Sequence, residues 1–192
     1  MHEFYPKIFI FLDQYDSQIF KNNNTNIGII YRNYNAKKRE KELIKVARAC
    51  KANRYQLFVS NDIKLAIKFK ADGIYIPSFN KTKSFINLEK KNIKILGSAH
   101  NQKEIQRKVL QNCNAIFLSP IFGTKKSKKF LGLNKFNFIS YRNNIKILAL
   151  GGIAKNNISM LKLLNTKGFG GIRMFKKKTG PERPVFIKNY FF

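Results

Sequence analysis

Residues 93–118 read Ile-Lys-Ile-Leu-Gly-Ser-Ala-His-Asn-Gln-Lys-Glu-Ile-Gln-Arg-Lys-Val-Leu-Gln-Asn-Cys-Asn-Ala-Ile-Phe-Leu, and this stretch decides the fold. Two short apolar runs, Ile93–Leu96 and Ala115–Leu118, flank a segment in which Ile105, Val109 and Cys113 return at the spacing of one helix face. Asn101 followed by Glu104 supplies a capping-box start for that helix. Strand, helix and strand in this order form a βαβ unit, whose long crossover makes the two strands parallel.

The same alternation extends in both directions. Further strands are predicted at Ile8–Leu12, Ile27–Tyr31, Gln56–Val59, Gly73–Ile76, Ile145–Leu150 and Gly171–Met174, so that eight runs recur every 17 to 30 residues. Leu43, Val46, Ala47 and Cys50 share a helix face, and Ile158, Leu161 and Leu164 repeat the stripe in the seventh unit; these apolar positions read as core. An open doubly wound sheet often carries a glycine-rich turn after its first strand. Here that strand runs into Asp13-Gln14-Tyr15-Asp16, which favours closure. The expectation is an α/β fold, a compact single-domain (β/α)8 TIM barrel over residues 1–192, with short loops and no linker or second domain. The tail from Lys176 to Phe192 reads as a basic loop and an aromatic helix or strap.

Composition limits the function classes. A hydrophobic fraction of 44%, with 18 Phe and 8 Tyr, excludes a disordered chain. A formal charge of +28 favours anionic partners, yet 30 of the 38 basic residues are lysine, spread along the chain beside abundant Asn, Ile and Phe. Nucleic-acid readout leans on the bidentate fork of arginine, so the charge reads first as compositional bias that also holds anions at low salt. Cys50 and Cys113 make neither a disulfide framework nor a metal cluster, and a reduced cytoplasmic setting is expected. Ile8–Leu12 is too short to span a membrane and lacks a signal-peptide cleavage pattern.

A (β/α)8 barrel collects its chemistry at the C-terminal ends of its strands. The polar residues there are Arg32 and Asn33; Asn61 and Asp62; Ser78 and Asn80; Ser98 and His100; Ser119, Thr124 and Lys125; then Gly151 and Gly152. Glycines at 151 and 152 let the backbone amides approach a phosphate, as barrels often do after strands seven and eight, although a plain tight turn reads equally well. Gly168 to Gly171 offer similar freedom beside Lys176 to Lys178, with Gly170-Gly171 entering the last strand. The loop Ser119 to Lys129, with Lys125 and Lys126, combines hydroxyl and ammonium groups suited to neutralising a departing diphosphate. Asp62 is either a hard oxygen ligand for magnesium or the N-cap of the third helix, and the two roles are compatible. His100 is a structural hydrogen-bonding residue or, by residue type, the acid–base group of the mouth.

Ser98-Ala-His100, Ser119-Pro-Ile-Phe-Gly-Thr124, Ala149-Leu-Gly-Gly-Ile153, Asn61-Asp62 and Ala71-Asp-Gly-Ile74 occur in the order and spacing of one superfamily. From about Pro6 to Phe175 the chain resembles the thiamine phosphate synthase and thiazole tautomerase (TenI-like) superfamily. The resemblance implies a transferase that joins an aminopyrimidine methyl diphosphate to a thiazole phosphate, releasing diphosphate with the help of magnesium, on small phosphorylated substrates. It implies that Arg32 holds diphosphate, Asn61 and Asp62 bind diphosphate and metal, and Ser98 faces the pyrimidine or the diphosphate. Thr124 with Lys125 or Lys126 would line the two phosphate regions, and Gly151-Gly152 would bind the thiazole phosphate. His100, Lys125 and Lys126 are the catalytic candidates.

Several positions depart from the family's pattern. Ile30-Tyr-Arg32-Asn-Tyr34 keeps only the arginine of the usual Gln-x-Arg-x-Lys, and Tyr75-Ile-Pro-Ser-Phe-Asn80 puts an amide where a second acidic metal ligand is usual. Lys176 stands near the family's last-strand serine. Two further readings follow: a tautomerase-like barrel using His100, and a barrel without catalysis that binds phosphorylated ligands or RNA.

Overall fold

The computed structural model describes residues 5–21, 26–34, 39–85, 92–124 and 129–175. Strand β1 (Ile8–Leu12) is buried along its whole length and pairs in parallel with β2 (Ile27–Tyr31) on one side and β8 (Phe169–Gly171) on the other. Between them run β3 (Gln56–Ser60), β4 (Gly73–Ile76), β5 (Lys94–Ala99), β6 (Ala115–Leu118) and β7 (Lys146–Leu150), closing the barrel in sequence order. The strands read as continuous apolar runs because both of their faces are covered.

The register explains how the interior is filled. Phe9 pairs with Gly28 and Phe58 with Gly73, and each ring lies over the glycine of the neighbouring strand. Phe11 and Phe117 crowd Gly170 in the same way. The rings then meet edge to face: Phe9 and Phe117 have centroids 5.2 Å apart, Phe11 and Tyr75 5.3 Å, Phe11 and Phe117 5.4 Å. Such contacts contribute on the order of 0.5–1.5 kcal/mol each beyond area burial. Ile30, Leu96 and Leu148 complete this inner cluster.

Outside the sheet, α1 (Arg39–Asn53) buries Leu43, Val46 and Cys50, while Ala47 is half-buried at the edge of the same face. Helix α2 (Ile63–Lys68) follows β3, α3 (Gln102–Leu110) follows β5 and α4 (Gly132–Tyr141) follows β6. Short 3₁₀ helices follow β1, β7 and β8, at Ile19–Lys21, Ile158–Leu163 and Arg173–Phe175. The buried residues of the second, Ile158 and Leu161, recur with Leu164 at the three-residue period that a 3₁₀ turn stacks on one side. No helix among the described residues is long and apolar enough to cross a membrane.

The observed β3, β5 and β7 differ from the predicted strands at their ends, with β5 running on through Ser98, and two features differ further. The last strand is Phe169–Gly171, not Gly171–Met174, so Gly170-Gly171 lie inside the strand. Thr166 Oγ1 accepts from Ala149 N at 3.1 Å and donates to Gly168 O at 2.6 Å, which starts the ladder at Phe169. On α3 Asn101 caps as predicted, with Glu104 N donating to Asn101 Oδ1 at 3.0 Å, while the Glu104 carboxylate accepts from His100 N in place of Asn101 N. The inward face of α3, however, is Ile105 and Lys108, while Val109 is exposed.

Lys108 is fully buried. Its Nζ donates to Pro77 O at 2.8 Å, Asn80 O at 2.9 Å and Gln111 Oε1 at 2.8 Å, so all three ammonium hydrogens have acceptors. Gln111 Nε2 donates in turn to Thr82 O at 2.6 Å, and the pair ties the loop after β4 to α3. Without those acceptors a buried ammonium is prohibitive.

Gly73→Ala places a Cβ 2.5 Å from both Lys94 O and the Phe58 ring. Urea unfolding is expected to register a loss of about 1–3 kcal/mol, the usual range for an overpacked core; an unchanged midpoint would show that the ring-over-glycine fit is slack. Lys108 sets a pH dependence of defined sign. Burial pushes its pKa down to about 8, whereas the unfolded chain keeps that proton to about pH 10. Between these values the unfolded state binds more protons, so the contribution of Lys108 to stability rises with pH. The stability of wild type relative to Lys108→Met is expected to improve by about 1–3 kcal/mol across that window. A flat or falling difference would show that the three acceptors hold the charged form.

Candidate active site

Parallel closure brings all eight strand ends to one mouth, and five groups of side chains or amides lie there. The first follows β1 and β2. Arg32 Nε donates to Asp13 Oδ1 at 3.2 Å and its Nη2 to Oδ2 at 3.4 Å, while Asn33 Nδ2 donates to Asp13 O at 2.9 Å. The Arg32 guanidinium also lies 5.8 Å from the Phe11 ring centroid, which links the inner core to the rim.

The second group follows β3. Asp62 caps α2, its Oδ1 accepting from Leu65 N at 2.9 Å, and its Oδ2 accepts from Arg39 Nη1 at 3.1 Å. Asn61 stands in the left-handed region with φ 57°, a conformation asparagine tolerates better than most residues. That turn directs its side chain to Asn80, whose Nδ2 donates to Asn61 Oδ1. Asn80 Oδ1 accepts from Thr82 N at 2.8 Å.

The third group joins the ends of β4, β5 and β6. His100 Nδ1 lies 2.8 Å from Ser119 O, and since a carbonyl only accepts, Nδ1 carries the hydrogen. In the neutral ring this leaves Nε2 as the acceptor, 3.3 Å from Ser78 Oγ. Glu104 Oε2 accepts from His100 N at 2.8 Å and so locks the backbone beneath the ring.

The fourth is the floor. Ser98 is 5% exposed and pairs with the buried Tyr75 phenol, whose pKa is pushed well up by burial and which therefore stays protonated. Above them Ser60 Oγ donates to Tyr34 OH at 3.1 Å, and Tyr34 packs edge to face on Phe79 with centroids 5.7 Å apart. Phe79 is 64% exposed, so this aromatic pair rims the mouth.

The fifth is made of backbone. Gly151 and Gly152 have φ of 93° and 72°, and a Cβ on Gly152 would lie 2.4 Å from Phe122 O. The β7 loop can therefore lie directly against the β6 loop, with Phe122 N donating to Gly151 O at 3.1 Å. Ala154 N donates to Asn157 Oδ1 at 2.8 Å, while the amides of Gly152 and Ile153 have no hydrogen-bond acceptor among the described residues. Two free amides beside glycines suit an anion.

The structure thus places Arg32, Asn61, Asp62, Ser98, His100, Gly151 and Gly152 at one end of the barrel, with Thr124 at the limit of the described part of the β6 loop. Lys125, Lys126 and Lys176 lie outside the described residues. Arg32 and Asp62 belong to two separate ion pairs, whose partners Asp13 and Arg39 the sequence reading passed over. Asp13 carried a signal, since it directly follows β1. Arg39 carried none: it sits on the first turn of α1, and only the packing of that helix brings it to Asp62. Among the described residues no group of three or more His, Cys, Asp and Glu side chains is placed to hold a metal ion.

Comparison with known proteins gives the family and the fold of this barrel. A family model described as thiamine monophosphate synthase matches residues 21–175. A thiamine-phosphate synthase of Prochlorococcus marinus is 34% identical over 131 residues, covering 67% of this chain and 37% of the relative, so the chain spans little more than a third of that relative's length. One from Staphylococcus epidermidis is 26% identical over 166 residues, covering 82% of this chain and 78% of the relative. Among solved structures, a thiamine phosphate pyrophosphorylase from Pyrococcus furiosus superposes with a TM-score of 0.72 at 19% identity, covering 88% of this chain and 87% of that one, a likeness of fold. On the family match over most of its length, the chain belongs to the thiamine monophosphate synthase family.

Proposed function

We propose that the chain acts, as one barrel domain over residues 1–192, as a transferase that couples an aminopyrimidine methyl diphosphate to a thiazole phosphate. A bond forms to the pyrimidine's methylene carbon as that carbon's bond to diphosphate breaks, and diphosphate leaves. The observation that carries this reading is the glycine turn after β7, with the Gly152 and Ile153 amides open beside the β6 loop, in a chain of this family.

In this reading Gly151 and Gly152 receive the thiazole phosphate through the backbone, with Thr124 alongside. Ser98, backed by the protonated Tyr75 phenol, meets the pyrimidine at the floor. Arg32 and Asn61 face the diphosphate, and Lys125 and Lys126 belong to the loop that would neutralise it on departure. No nucleophilic side chain is required. Orientation of the two substrates and fixed positive charge near the leaving group supply the rate.

Magnesium is the ion the resemblance implies, with Asp62 as carboxylate ligand and Asn61 and Asn80 beside it. Magnesium is usually held by one or two carboxylates together with substrate phosphates and waters in near-octahedral array. Both Asp62 oxygens already accept hydrogen bonds, from Leu65 N and Arg39, and the side-chain oxygens of Asn61 and Asn80 accept from Asn80 and Thr82 N. The described residues thus fit magnesium poorly, because the carboxylate that would hold it is already shared between the cap of α2 and Arg39.

A second reading has one observation in its favour: the Ser119 carbonyl fixes the tautomer of His100 so that Nε2 is a proton acceptor at the mouth. That arrangement suits proton transfer on a thiazole phosphate, as in a tautomerase.

Incubation of the purified chain with both substrates is expected to yield thiamine phosphate and diphosphate in equal amounts. Folded protein that forms neither, across a range of magnesium concentrations, would sink the transferase reading. His100→Ala separates the two chemistries. Coupling is expected to persist within a few-fold, because His100 is not asked to move a proton in it; a loss of coupling by a hundredfold or more would transfer His100 to the reaction centre.

A further inference from the structure

The mouth contains a resident cation where the resemblance calls for a metal. Arg39 donates from Nη1 to Asp62 Oδ2 at 3.1 Å and from Nη2 to Ser60 O. Its guanidinium lies 6.0 Å from the Tyr31 ring centroid, and the Tyr31 hydroxyl donates to Arg39 O at 3.1 Å. A carboxylate, a carbonyl and an aromatic face therefore hold the side chain, which is 14% exposed. Two of the five donors of a guanidinium are engaged, and Nε is buried without an acceptor among the described residues.

We propose that this site binds the diphosphate of its substrate by permanent cationic charge, without a divalent ion, with Arg39 as the binding cation and Asp62 as its partner in the unliganded site, which diphosphate oxygens replace. The ligand class rests on the transferase reading above; the independence from metal rests on the contacts of Arg39 and Asp62. A guanidinium keeps its charge at any physiological pH and offers paired N–H groups that match phosphate oxygens. Arg39 therefore supplies, as part of the fold, the neutralisation that a bound magnesium would otherwise supply. Arg32, paired with Asp13 and about one-third exposed, stands as a second fixed cation at the same rim. The departures from the family pattern then have a common reason: an amide at Asn80 is sufficient where no metal has to be ligated, and Asn80 instead holds Asn61 and the turn to Thr82.

The sign of one substitution separates this from metal ligation. Asp62→Asn keeps the cap on α2, since asparagine caps as well as aspartate, and removes the charge that competes for Arg39. Titration calorimetry of the whole chain with inorganic diphosphate, at about 0.15 M salt to screen the general surface charge, reads the effect. Binding is expected in the presence of a chelator, with no gain on adding millimolar magnesium. Asp62→Asn is expected to bind as tightly as wild type or a few-fold tighter, and Arg39→Gln at least tenfold more weakly. Arg39→Lys should fall between, because it keeps the charge and loses the fork. Lys162→Gln, an exposed lysine on the 3₁₀ helix after β7, should change nothing. Binding that needs magnesium, a collapse in Asp62→Asn, or equal losses in Arg39→Gln and Lys162→Gln would each overturn the proposal. If Arg39→Gln fails to fold, as judged by its thermal melt, Asp62→Asn and the magnesium comparison decide alone. A chain that binds diphosphate in this way but forms no thiamine phosphate would leave the cation site standing and remove only the transferase reading.

Discussion

A closed ring of eight strands encloses a volume that side chains must fill, and here phenylalanine does most of the filling. The rings of Phe9 and Phe58 each need the space of a glycine on the adjacent strand, and the parallel register brings Gly28 and Gly73 to those places. A slip of one residue would turn every ring out of the barrel and every glycine away from its ring. Interior packing and strand register are therefore one constraint, and the register in turn sets the level at which each strand ends. Since every residue of the mouth is counted from a strand end, the geometry of the site is inherited from the fit of rings onto glycines.

On that foundation the mouth has two halves of different character. After β6 and β7 it is made of backbone, with glycines that permit close approach and amides that have no partner among the described residues. After β1 to β4 it is made of charged and amide side chains that pair with one another: Arg32 with Asp13, Arg39 with Asp62, Asn61 with Asn80. To the anions of the proposed reaction the first half offers shape, the second charge held in position. Lys108 belongs to neither, yet it anchors the loop after β4 through the carbonyls of Pro77 and Asn80. A buried lysine surrounded by three neutral oxygens is a structural post, tolerated because each of its hydrogens has an acceptor.

The sequence was most legible where the physics is local or strictly periodic. Continuous β-branched runs marked β1, β2, β4 and β6 to the residue, because a strand covered on both faces has no polar position to blur its limits. The Asn101 cap on Glu104 N also formed as read, since its partners are three residues apart. Periodicity failed on α3, where both Lys108 and Val109 lie at helical spacing from Ile105. Hydrophobicity alone chose Val109, while the packing chose Lys108, whose stem is apolar and whose ammonium found three acceptors on other segments. It failed again at β8, where the predicted strand begins at Gly171 and the observed one ends there, and Gly170 lies inside the strand because the rings of Phe11 and Phe117 need its space.

What the sequence by itself determined is the barrel, its strand count and order, its family, and the positions that gather at the C-terminal mouth. Those follow from patterns repeated along the chain and from motifs whose members are neighbours in it. What only the tertiary structure decided is the pairing of charges at the mouth: that Asp62 is engaged by Arg39, that Arg32 is engaged by Asp13, and that Asn80 is turned to Asn61. Asp62 reads as a metal ligand or a helix cap from its own neighbourhood. The guanidinium that occupies its second oxygen arrives from 23 residues away on a different helix. An ion pair of that kind depends on where two helices lie around the barrel, and no local propensity encodes it.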